Sequence, residues 1–97
     1  MLKLNLREIA RDLDVAIGCF DEALELLEGL EDSTVTDEHR NKLKDLSRIC
    51  IRLDSLRDET GTMVLERVIH ICNVEEAIKL IKEVKEDFKD ARSLIKY

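Results

Sequence analysis

The chain has 97 residues, of which 44% are hydrophobic and 39% charged, and its net charge is −6. This balance is too apolar for a disordered chain and too charged for a membrane protein, and the longest apolar run, Val15 to Phe20, falls well short of the roughly 20 residues of a membrane span. The length fits one domain, residues 1–97, and the opening MLKLNLREIA has no apolar signal segment, so a cytoplasmic setting is expected.

The first helix is written in two interleaved series. Leu6, Leu13, Phe20 and Leu27 stand seven apart, as do Ile9, Ala16, Ala23 and Leu30, which puts all eight on one helical face. Ala10, Ile17 and Leu24 widen the stripe on one side, and Cys19 and Leu26 on the other, so more than one neighbouring helix must cover it. Asn5 is the expected cap, with Glu8 reaching back and Leu4 stapled on Ile9. Gly29 and the polar run from Glu31 to Thr34 end the helix.

Charge is distributed unevenly along the chain. Asp12 to His39 contains no Lys or Arg and ten acids, and the stretch Asn5 to Glu31 holds two Arg against eight acids, whereas Thr36–Gly61 and Thr62–Tyr97 are each neutral. Acids in the last turn of a helix oppose its dipole at about a few tenths of a kcal/mol each, so helix energetics alone does not ask for them there. A one-sided field of this kind steers partners rather than fixing a fold.

The second helix is expected to start at Thr36 or Asp37, with Leu43, Leu46, Ile49, Cys50, Leu53 and Leu56 on its apolar face. Arg40, Lys44, Arg48 and Arg52 form a ladder at four-residue steps, which without nearby aromatics reads as a solvated face partly opposite the acidic helix rather than a nucleic-acid site. The apolar spacing stays in phase through Val64, Val68 and Ile71. One continuous helix of about 36 residues would overhang its partners, so the break is placed at Thr60-Gly61-Thr62, leaving a short third helix over Met63–Cys72. His70, set among Val68, Ile69 and Ile71, is expected to be partly buried or at an interface. The last helix is capped by Asn73 with Glu76, and carries Val74, Ala77, Ile81, Val84, Phe88, Ala91 and Ile95 on its inner face. Nothing alternates with the period of a strand. The expected fold is all-α, an antiparallel up-and-down bundle of three long helices and one short one, with dimerisation as a way to complete it.

Chemistry is thinly represented. Glu22-x-x-Glu25 resembles the first half of the metal-binding pattern of all-α nucleotide pyrophosphohydrolases of the MazG type, but the E-x-x-D of the second half is missing. The residues three before His39 and His70 are Thr36 and Arg67, so neither histidine belongs to the Glu-x-x-His of a di-iron bundle. No glycine-rich phosphate loop is present. Cys19, Cys50 and Cys72 have no C-x-x-C spacing and read as reduced core thiols. The segment Ala16 to Leu26 resembles the second helix of a tetratricopeptide repeat, although the repeat's first helix and its 34-residue period are missing. Glutamine is absent and asparagine limited to three, a bias shared with proteins from hot environments.

These observations point to a small non-enzymatic interaction protein without cofactor, metal or catalytic residues. Its partner-binding face is expected at Asp21, Glu22, Glu25, Glu28 and Glu31, docking a basic protein rather than nucleic acid or membrane. A homodimer is expected through Val64, Val68, Ile69 and Ile71. Two other functions compete with this reading. One is a metal-dependent nucleotide hydrolase assembled as a dimer, with Glu22 and Glu25 as ligands. The other is an acidic mimic that inhibits a nucleic-acid-binding protein.

Overall fold

The computed structural model describes residues 5–30, 35–71 and 73–96. Four helices pack together, α1 (Leu6–Glu28), α2 (Asp37–Ile51), α3 (Val64–Ile69) and α4 (Val74–Ser93), with two 3-10 turns, Asp54–Leu56 and Thr60–Met63, between α2 and α3. No strand occurs among the described residues, and none of their helices is long and apolar enough to cross a membrane. The molecule is elongated, with extents of 49 × 21 × 16 Å, because α1 and α4 lie along each other for most of their length.

The starts of the three long helices follow the caps written in the sequence. Asn5 accepts from the Glu8 backbone N–H and Asn73 from that of Glu76, each satisfying a donor that the first helical turn leaves unpaired. At α2 the box is built differently. Thr36 accepts from the His39 backbone N–H at 3.4 Å, and the His39 ring takes the place of the usual Glu or Gln, its Nδ1 lying 3.4 Å from the Thr36 N–H. The Leu4 staple expected for α1 lies outside the described residues.

The core runs the length of the bundle and joins Phe20, Ala23 and Leu27 of α1, Leu43, Leu46 and Cys50 of α2, Leu65 and Val68 of α3, and Ile81 and Phe88 of α4. Phe20 and Phe88 meet edge to face, with ring centroids 5.2 Å apart, which tightens the α1–α4 seam beyond plain area burial.

The stretch after α2 departs from the sequence reading. The helix ends at Ile51 rather than near Thr60, and Leu53 is already extended. A single carboxylate redirects the chain. Asp12 of α1 accepts from the Ser55 backbone N–H at 3.2 Å and from its hydroxyl at 2.5 Å, which caps the first 3-10 turn from another helix. Leu53 and Leu56 stay in helical phase in sequence, so periodicity alone could not reveal the break. Gly61 lies where the second 3-10 turn presses on α4: a Cβ built there would stand 2.6 Å from the Phe88 ring.

The short third helix is covered from within the chain. Val64, Val68 and Ile69 are buried and Ile71 is half-buried against the same core, so the uncovered apolar face expected for a partner copy does not exist at these positions. The two 3-10 turns fold α3 back against α2 and α4, which removes the overhang that a continuous helix would have left. His70 is exposed at the C-terminal end of α3, so of its two expected settings the partly buried one is not met.

Candidate docking surface

The acids of α1 separate into two sets once the helix is packed. Asp14, Asp21 and Glu28 stand seven apart and face α4. Asp14 pairs with Arg92 at 2.9 Å, Asp21 pairs with Lys85, and Glu28 pairs with Lys82 at 3.3 Å. As the α1 number rises the α4 number falls, so these two helices run in opposite directions. Each pair is at least partly in water, so it contributes between zero and about 1 kcal/mol, and the three together set register more than stability.

Glu22 and Glu25 belong to the other set. They lie on the ridge of α1 turned away from the bundle, where Arg11, Val15, Gly18, Glu22 and Glu25 follow one another at steps of four and three residues, all exposed. Neither glutamate has an ion-pair partner among the described residues. Gly18 sits between Val15 and Glu22 with nothing within 4 Å of where a Cβ would be, so the ridge is flat there and another backbone could approach closely. α1 has no basic residue in its last turn, which leaves the carboxylate of Glu25 uncompensated beside the negative end of the helix.

The five acids expected to form one face are therefore placed differently from one another. Asp21 and Glu28 are engaged with α4, Glu22 and Glu25 are free, and Glu31 lies outside the described residues. The basic ladder of α2 is not their counterpart. Arg40 pairs with Asp37 at 3.5 Å and Arg48 with Asp45 at 3.3 Å, both within α2. Lys82 of α4 pairs with Glu28 across the interface. The seven-residue spacing of Asp14, Asp21 and Glu28, matched by that of Lys85 and Arg92, was the signal for an interhelical ladder. Asp12 had no such signal, because its partner Ser55 lies far away in sequence within a segment that reads as helix.

A groove of about 350 Å³ opens on another side, between α1, α4 and the Thr60–Gly61 turn. Ile9, Leu13, Leu56, Val84 and Phe88 line it, with exposed Glu59 and Asp87 at its edge. Its described lining holds the carboxylates of Glu59 and Asp87 and the hydroxyl of Thr60, and no Ser, Cys, His or Lys. Among the described residues no three His, Cys, Asp or Glu side chains are placed to hold a metal ion, so Glu22 and Glu25 have no third ligand there. Compared with known proteins, the chain matches no family model, and no curated protein and no solved structure is similar to it.

Proposed function

We propose that this chain is a small non-enzymatic interaction module that docks a basic protein along the outer ridge of α1. The supporting observation is the division of the acids: three are neutralised by α4, while Glu22 and Glu25 are left facing solvent beside Val15 and Gly18. An exposed acidic pair next to a flat, partly apolar strip suits a helix that brings lysines or arginines together with one apolar side chain. Attraction of this kind acts within about 8 Å at physiological ionic strength, so binding is expected to weaken as salt rises. A cytoplasmic setting fits this reading. Should the chain associate with a second copy, the exposed Ile49, Ile51 and Met63 are available for it, since Val64, Val68 and Ile69 are already buried.

The test is cross-linking from the ridge itself. A photoreactive phenylalanine analogue at Arg11, at the end of the ridge, should capture a basic protein at low salt in cell extract, and the same analogue at Lys89 on α4 should not. Capture from both positions alike, or from neither, contradicts the reading.

A further inference from the structure

The groove between α1, α4 and the Thr60–Gly61 turn is a gap in the packing of the bundle. Ile9, Val84 and Ala91 belong to the inner stripes of α1 and α4, yet Ile9 and Val84 are only half-buried and Ala91 is exposed. Here the α1–α4 seam is bordered by the 3-10 turns rather than by a third helix, since α2 ends at Ile51. One side is closed firmly. A Cβ on Gly61 would stand 2.6 Å from Phe88 Cε1 and 3.0 Å from Val84 Cγ1, so the turn rests directly on two of the groove's own walls. What remains is a recess of about 350 Å³, within the span of roughly 300–1,000 Å³ that small-molecule sites occupy.

The charge around the recess has one sign. Glu59 comes from the turn and Asp87 from α4, two separate elements, and the lining contains no Lys, Arg or His. Neither carboxylate has an ion-pair partner among the described residues. Arg57, two residues before Glu59, is taken by Asp54 at 3.2 Å. Along α4 the exposed Glu83 and Asp90 flank Asp87 at four and three residues, which extends the negative rim. An apolar floor under such a rim repels an anion and gives a neutral ligand no charge to meet.

We propose that this recess binds a small organic ammonium ion with an apolar body. The hydrocarbon rests on Ile9, Leu13, Val84 and Phe88, and its removal from water supplies most of the affinity. The ammonium stays at the wet rim with Glu59 and Asp87, where it keeps part of its hydration and meets opposite charge, so the carboxylates act on selectivity more than on affinity. The site lies on a different side of the molecule from the outer ridge of α1 and does not depend on what docks there.

Phenethylamine, phenethyl alcohol and hydrocinnamate share one apolar group and differ in the charge of the head. Each is titrated into the full chain at physiological salt, and binding is read from backbone amide resonances. The amine should shift Thr60, Gly61, Val84 and Phe88 and bind roughly tenfold tighter than the alcohol, with the carboxylate weakest. Glu59→Gln with Asp87→Asn, both exposed positions, should bring the amine down to the affinity of the alcohol and leave the alcohol unchanged. Ala91→Phe should fill the recess and abolish the shifts from all three, with the helix content intact by circular dichroism. Equal binding of the three ligands, or none at all, overturns the proposal. So does an amine preference that survives in the Glu59→Gln, Asp87→Asn chain, because overall charge would then be the attraction. If the same amides shift when the chain alone is diluted, a second copy covers the recess and the assignment is wrong.

Discussion

Gly18 and Gly61 show how one residue type has opposite consequences at two places. Gly18 lies on the outer ridge of α1 with open space around its missing Cβ, so it gives the helix interior only its entropic cost. Gly18→Ala is expected to stabilise the fold by about 0.5–1 kcal/mol, read as a higher midpoint in thermal or urea unfolding. Gly61→Ala pushes a methyl into the Phe88 ring, which is itself held edge-on by Phe20, and is expected to cost about 1–3 kcal/mol in the same measurement. Equal effects at the two sites would contradict the packing of the second 3-10 turn on α4. Asp12 is the third residue on which the local structure turns. Asp12→Ala leaves the Ser55 N–H without its acceptor and should cost about 1–2 kcal/mol, with faster hydrogen exchange at Ser55 than at the neighbouring turns. If exchange there is unchanged, the end of α2 is not set by that carboxylate.

Among the elements, α1 and α4 were the most legible in the sequence, because each carries an unbroken heptad stripe and an asparagine cap. The structure places both where those signals put them. The end of α2 was not legible. Leu53 and Leu56 keep helical phase, and the competing interaction, a side-chain bond from Asp12, is long-range and outweighs local periodicity. The exposed apolar face expected on α3 is absent for a related reason, since length matching assumed a straight segment where two 3-10 turns fold Val64, Val68 and Ile69 inward. The candidate site was legible as composition and not as geometry: the excess of acid was visible, but its division between α4 and solvent needed the packed helices. That division predicts contrasting mutational behaviour along one helix. Glu28→Lys faces Lys82 and should lower stability by up to about 1 kcal/mol, whereas Glu25→Lys, lying between Asp21 and Glu28 on the helix surface, should leave it unchanged or raise it. Thermal unfolding of the two variants side by side checks the order.

For the molecule as a whole, acids of α1 divide between a paired seam along α4 and an outward ridge where Glu22 and Glu25 have no ion-pair partner among the described residues. The seam serves the register of α1 on α4. The ridge has no counterpart within the described fold, and the proposed basic partner would supply one. The measurement that bears most directly on this compares the salt-dependent capture of a basic partner by three chains: wild type, Glu22→Lys with Glu25→Lys, and Glu83→Lys with Glu86→Lys. The last two change the net charge equally, one on the ridge of α1 and the other on the exposed side of α4. The account predicts that capture at low salt is lost only in the ridge variant, with the fold of all three intact by circular dichroism. Equal loss in both variants would mean that net charge alone attracts the partner, and undiminished capture by the ridge variant would mean that α1 does not dock it.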